Sequence, residues 1–350
     1  MATEVEPTAA AVPGRLDRAR AWLATHETRL WWLHSVWALA FGMGVMWLGT
    51  RHYGWLRGAM AYVVVIWATS LALPRLSQHP RWSPRGRALI QTVVNYFHRN
   101  FYQQLLFFVL PIYAASTTLG SVNALFPALV ALSAVLASLD VVYDRHMAAR
   151  RGIMAVFFAF NLFACVNVAL PVLWAVNHAD AMRVSAALAL VGFATLRYPA
   201  RALGRTGVVA GLVLSAVLLG GLIEWGRRAI PPAPLRLASG VFGREIDRRH
   251  PAIVGRLDEI PADWQGRVYV LTAVQAPLGL EDRLRHRWIV DGVTVHTTPH
   301  YVVSGGREQG FRLWSYYTLK RPRPGARLMV DVETEAGQLV GRAVLRVAAQ

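Results

Sequence analysis

Seven long apolar blocks fill the first part of the chain, at Leu30–Thr50, Trp55–Leu73, Tyr102–Leu119, Val122–Val142, Ile153–Val176, Val184–Leu196 and Thr206–Trp225. All but the short sixth approach the length that crosses a hydrocarbon core of about 30 Å at about 1.5 Å per helical residue. Thr206–Trp225 is the clearest, carrying no charge before Glu224. After Trp225 the pattern changes to short alternating runs separated by turn residues. Arg267–Val274, Arg285–Val290, Val293–Val303, Phe311–Thr318, Arg327–Glu333 and Leu339–Val347 read as strands, and Asp291-Gly292 is a hairpin signal. The pattern therefore predicts a membrane α-helical bundle of about seven transmembrane helices, followed by a small all-β, immunoglobulin-like sandwich of six or seven strands.

The divisions expected are a cytoplasmic N-terminal segment (1–29), a seven-helix transmembrane domain (30–225), a Pro-rich linker (226–240) and a periplasmic β-sandwich (241–350). Pro231, Pro232 and Pro234 suggest a stiff spacer. Composition agrees with a membrane protein: 55% of the 350 residues are hydrophobic and only 16% are charged, against roughly 25% charged in soluble domains. The net charge of +17 divides as 18 Arg against 8 acids up to Trp225 and 19 basic residues against 12 acids beyond it. Counting the N-terminal segment with the loops, fifteen arginines fall on one side of the expected bundle and three (Arg51, Arg57, Arg183) on the other. Positive-inside then predicts a multi-pass protein of the bacterial inner membrane, with its N-terminus in the cytoplasm and its C-terminal domain in the periplasm. Trp174 and Trp225, at block ends, suit the headgroup level. The basic excess shows no stripe of the kind that binds nucleic acid. Cys165 is the sole cysteine, which excludes an internal disulfide and a cysteine-based metal site.

Two groups of residues are candidates for function. Polar groups near bundle ends come first, because they are costly in a membrane. Asn95, His98, Gln103, Asp140 and Asp144 would share one depth if blocks three and four form an antiparallel hairpin, giving an inner polar cluster. The plainer reading of the same residues is that they cap helix ends and pair with Arg99, Arg145 or Arg151. Asn161 and Asn167 suggest interhelical hydrogen bonds. The second group is an outer face on the β domain: His286, Trp288, Arg307, Arg312, Trp314, Ser315 and Tyr316. Strand alternation sends Arg312, Trp314 and Tyr316 to one side and Leu313 and Ser315 to the other. These aromatics also suit a sandwich core. His286, His296 and His300 lack a carboxylate at ligand spacing, so no metal site is expected. No nucleophile elbow is present, and neither catalytic residues nor a cofactor are assigned.

Several stretches are similar to known families. His286-Arg287-Trp288, Gly305-Gly306-Arg307, Arg312-Leu313-Trp314-Ser315, Gly325 through Val332, and Gly337 through Gly341 resemble a bacterial domain of unknown function. That domain has an H-x-W strand, a W/Y-S strand and a G-x-W-x-V-x-V run; Leu328 stands where it has Trp. Gln103 through Pro111, Ser116-Thr117-Thr118 and Asp140 to Tyr143 are similar to an uncharacterised polytopic membrane module fused ahead of it. The resemblance implies a two-part protein and supplies no activity.

The leading expectation is a non-catalytic inner-membrane protein whose periplasmic sandwich binds an envelope partner (protein, glycan or lipid headgroup), with the lipid bilayer as its other partner. The alternative is a membrane-embedded enzyme or transporter acting on a lipid-like substrate through the inner polar cluster. A third reading makes the outer domain an assembly contact in a homo-oligomer.

Overall fold

The computed structural model describes residues 105–138, 150–197 and 200–349, together with scattered helical positions between 22 and 86. Helices α1 (Leu105–Ala115), α2 (Leu125–Ser138), α3 (Arg151–Trp174), α4 (His178–Arg197) and α5 (Ala200–Gly226) run alternately toward and away from the β domain.

The expectation of seven transmembrane helices is not met. Among the described residues two helical stretches are long and apolar enough to cross a membrane, Gly152–Trp174 and Thr206–Ala229. The reason is local. The third block breaks after Ala115, where Ser116 and Thr117 turn their hydroxyls back onto the carbonyls of Ile112 and Tyr113. Of the fourth block, the described residues give 14 helical positions, Leu125–Ser138. The sixth forms a helix of 20 residues, but its first turns carry Asp180 and Arg183, which lower its hydropathy. The first two blocks lie outside the described residues except at scattered positions.

A buried core joins α1 to α4. Leu106, Val109, Ile112 and Tyr113 of α1 meet Phe126 and Val130 of α2, Phe163, Val168 and Val172 of α3, and Met182 of α4. Gly192 lets α4 approach α3 closely; a Cβ there would stand 2.7 Å from Phe158. Tyr113 Oη donates to the Ala164 carbonyl (2.8 Å) and accepts from Asn167 Nδ2 (3.3 Å), the interhelical bond expected of Asn167. Asn161 is buried with neither side-chain atom hydrogen-bonded, so it does not play the matching part. Helix α5 differs from the rest: none of its apolar window is buried.

The β domain contains strands β1 (Arg236–Asp247), β2 (Ala252–Leu257), β3 (Glu259–Ile260), β4 (Gln265–Gln275), β5 (Glu281–Val290), β6 (Val293–Thr297), β7 (Tyr301–Ser304), β8 (Phe311–Lys320), β9 (Arg327–Thr334) and β10 (Leu339–Val347). One sheet has the order β2-β1-β4-β8; the other runs β3-β10-β9-β5-β6, with β7 also paired to β5. All pairings are antiparallel except β3 with β10. Phe242, Val268 and Val270 of the first sheet pack against Trp288, Leu328, Val330 and Leu345 of the second.

Alternation does not reveal β1, where Gly240 and Gly243 interrupt the pattern, or β2, where Gly255 does. Gly240 is needed for close approach: a Cβ there would lie 2.6 Å from that of Ala343, across the sandwich. The hairpin expected at Asp291-Gly292 forms, with positive φ at both residues (48° and 83°) as a type I′ turn requires.

Candidate functional site: an arginine–aromatic face and a buried polar junction

Strand alternation sorts the predicted outer-face residues into two sets. His286 and Trp288 of β5 and Ser315 of β8 point between the sheets and are buried. They form a directed chain of hydrogen bonds. Thr272 Oγ1 donates to the Leu313 carbonyl (3.1 Å) and so accepts from His286 Nε2–H (2.9 Å). His286 Nδ1 is then free to accept from Ser315 Oγ (2.7 Å), which itself accepts the Trp288 indole N–H (2.9 Å). Each side-chain donor has an acceptor when the imidazole is neutral. Burial holds it so, pushing the His286 pKa down to about 3. Ser315 is not placed for nucleophilic work: it is 6% exposed, and no carboxylate orients His286. The set ties the two sheets together.

Arg312, Trp314 and Tyr316 face outward, as alternation predicted. The neighbouring strand β4 completes the surface. Tyr269 stands between Trp314 and Tyr316, with ring centroids 6.5 Å and 5.4 Å away. Arg267 lies over Tyr316 at 4.9 Å and Arg248 over Trp314 at 5.6 Å, each in cation–π range. The outcome is a row, Arg248–Trp314–Tyr269–Tyr316–Arg267, on the open side of the first sheet. Arg312 is fixed beside it by bonds to the Pro251 carbonyl (3.0 Å) and Gln309 (2.9 Å). Arg307 lies apart, over Phe311. Arg267 and Tyr269 could have been added from sequence by the same alternation. Arg248 could not, because the β1–β2 turn brings it there.

β8 is the last strand of its sheet, paired only with β4 among the described residues. Along its flank runs an open groove of about 680 Å³, bounded across from β8 by His296, Thr298, Tyr301 and Val302. His296 stacks on Tyr317 at 6.3 Å, while His286 is committed to the core, so the histidines at 286 and 296 do not converge. Among the described residues, no three His, Cys, Asp or Glu side chains could hold a metal ion together.

A second polar site joins the helices to the β domain. The first residue of α4, His178, gives its backbone N–H to Asp282 Oδ2 of β5 (3.0 Å). Its Nδ1 meets the same oxygen at 2.6 Å, and its Nε2 meets the Ala233 carbonyl at 3.0 Å. Both ring nitrogens thus face acceptor oxygens, the arrangement that an imidazolium satisfies. Burial alone would raise the Asp282 pKa, but the bonds and charge of His178 together bring it below its ordinary value. Asn177 caps the helix before it, accepting from the Asp180 N–H at 2.9 Å. Asn123 donates to the Leu339 carbonyl (3.0 Å) and Gln338 to the Ile230 carbonyl (3.0 Å). The Pro-rich stretch 230–235 is buried between the two parts rather than spanning open space.

Asn95, His98, Gln103, Asp140 and Asp144, the inner polar cluster, lie outside the described residues. Nothing in sequence pairs His178 with Asp282, which are 104 positions apart.

Residues 281–347 match the protein of unknown function DUF2914. No curated protein matches the chain. Among solved structures, an immunoglobulin-like protein from Pseudomonas aeruginosa is similar at 14% identity, covering 33% of this chain and 97% of that one, with a TM-score of 0.22. The alkylpurine DNA glycosylase AlkC of Pseudomonas fluorescens, bound to DNA containing an abasic site analog, is similar at 11% identity. That likeness covers 86% of this chain and 97% of that one at a TM-score of 0.23. Residues 14–265 match the family of unknown function DUF5924, and the protein belongs to that family.

Proposed function

We propose that this is a membrane-anchored, non-catalytic binding protein that displays its β domain outside the cytoplasmic membrane and captures an extended polypeptide segment along β8. The anchor is supported by Thr206–Ala229, most of α5 with the turn that follows it, which has a mean hydropathy of 2.3 and no buried residue. An apolar helix left in water exposes surface that costs about 25 cal/mol per Å²; lipid removes that cost. Trp174 and Trp225, at the ends of α3 and α5 next to the β domain, are 63% and 92% exposed, as interfacial anchors are. Arg150, Arg151, Arg197, Arg201 and Arg205 stand at the far end of the helices, and Arg57, Arg183, Arg227 and Arg228 at the near end, where Asp180 and Glu224 offset two of them. Positive-inside then directs the far end to the cytoplasm and the β domain to the periplasm.

The observation that carries the binding reading is β8 itself. It is a long edge strand without proline, and it has an open groove on its free side and arginines beside its aromatic face. Unprotected edges of this kind recruit another strand. Arg248, Arg267 and Arg312 favour a partner segment bearing carboxylates. A photo-crosslinking amino acid at Tyr316, in living cells, should give one discrete protein adduct that Trp314→Ala removes. Adducts to lipid alone, or none at any β8 position, would overturn the reading.

A further inference from the structure

We infer that the cleft between α4, α5 and the β domain is a binding site for a bilayer lipid with a phosphoethanolamine headgroup. The inference rests on the membrane anchoring proposed above. The cleft holds about 870 Å³ and has two unlike walls. Its floor, between the two helices, is apolar and built of small or flexible residues: Met182 and Ala186 on α4, Gly220 and Ile223 on α5. A Cβ placed on Gly220 would meet nothing within 4 Å, so the helices stand apart there. Its roof is charged, with Asp180–Arg183 (2.8 Å), Glu224–Arg227 (2.9 Å) and Arg283–Glu335 (3.5 Å) as solvent-facing ion pairs. Glu281, also on the wall, has no ion-pair partner among the described residues. Asp282 behind it is already committed to His178.

An apolar slot between helices that opens upward into alternating charges fits an amphiphile whose acyl chain lies along α5. The headgroup's phosphate would meet Arg183 and Arg227, which exchange exposed ion pairs of little net worth for charge-assisted bonds. Its ammonium would meet Glu281, the carboxylate left over. An anionic headgroup lacks the group that answers Glu281, and a quaternary choline cannot donate a hydrogen bond to it. The depth is appropriate as well, since Trp225 lies next to the wall residue Glu224, at headgroup level.

The test uses the full chain purified in detergent. Melting temperature and lipid retention by native mass spectrometry are followed on adding phosphatidylethanolamine, phosphatidylglycerol, phosphatidylcholine or free phosphoethanolamine. Phosphatidylethanolamine is expected to raise the melting temperature by several degrees and to be retained, with the water-soluble headgroup having little effect. Gly220→Leu should fill the slot and abolish the rise, while Gly221→Leu, which also meets open space, keeps it. Glu281→Gln should erase the preference for phosphatidylethanolamine. Equal stabilisation by all three lipids, or an undiminished rise in Gly220→Leu, overturns the site. Flotation of the chain with vesicles of any composition separates this from the anchoring reading: a chain that does not float loses both, and one that floats without headgroup preference loses only the site.

Discussion

Asp282 Oδ2 accepts both the backbone N–H and the ring Nδ1–H of His178, so one carboxylate oxygen of β5 caps α4 and pairs with its first side chain. Both groups are nearly inaccessible, with side-chain exposures of 1% and 7%. Removing one member of a buried pair leaves the other charge uncompensated, a loss of about 3–5 kcal/mol. Asp282→Ala should therefore lower global stability by about that amount and free the β domain from the helices. Hydrogen exchange checks this: protection should fall at the start of α4 and at Ile230–Leu235 before it falls in the sandwich core. Uniform loss of protection would count against a docking role.

The His286 chain of hydrogen bonds gives a second expectation. Ser315→Ala removes the donor to His286 Nδ1 and the acceptor of Trp288 Nε1–H at once. Each buried polar group left unsatisfied costs about 1–3 kcal/mol. Denaturant unfolding should show a loss of about 2–6 kcal/mol, with near-UV circular dichroism reporting the altered Trp288 environment. A change within about 0.5 kcal/mol would mean that the network contributes nothing to stability.

Acid sensitivity follows from the same residue. The His286 pKa falls to about 3 in the folded chain, while the unfolded value is 6.5. Between those values the unfolded chain binds one more proton, so the stabilisation is complete above pH 6.5 and is lost as pH falls toward 3. The slope is about 1.4 kcal/mol per pH unit. Asp282, also depressed, adds a loss at lower pH, beginning below its unfolded value of 3.8. Unfolding followed from pH 7 to pH 4 should show the steep loss in the wild type, and His286→Gln should flatten it. An identical slope in both would assign the acid sensitivity elsewhere.

The two family matches divide the sandwich at a point where the fold does not. Residues 281–347 contain β5 to β10, but β1, β2 and β4, three of the four strands of the first sheet, precede them. Expressed alone, 281–347 would expose the core faces of Trp288 and Leu328 and leave β8 with no sheet partner. It should be unfolded or aggregated, whereas residues 229–350 should give a dispersed amide spectrum. A folded 281–347 fragment would show that the first sheet is dispensable.

On the arginine–aromatic face, Tyr316→Ala should have little effect on folding. Tyr316 is 40% exposed, and it lies over the edge of the buried Tyr269 ring and under the exposed Arg267. A stability change within about 0.5 kcal/mol together with loss of crosslinking at neighbouring β8 positions would assign this row to binding. A large loss of stability would make it part of the core.

Some of this was legible along the chain because it is local. Period-two alternation located β4, β5, β8, β9 and β10 and sent Trp314 and Tyr316 outward and Ser315 inward. Asp291-Gly292 specified its turn because few other residue pairs accept positive φ at both positions. Among the described residues, hydropathy picked out α3 and α5 as long enough to span but could not see where Ser116 ends a helix, since it measures composition alone. What tertiary structure decided is everything that depends on register and on partners distant in sequence. His286 and Trp288 became core because β5 lies under β4 and β8, so that Thr272 and Ser315 meet them. His178 gained its carboxylate from 104 residues away. Residue type says that such groups must be satisfied when buried; only the packing of sheets and helices chooses what satisfies them.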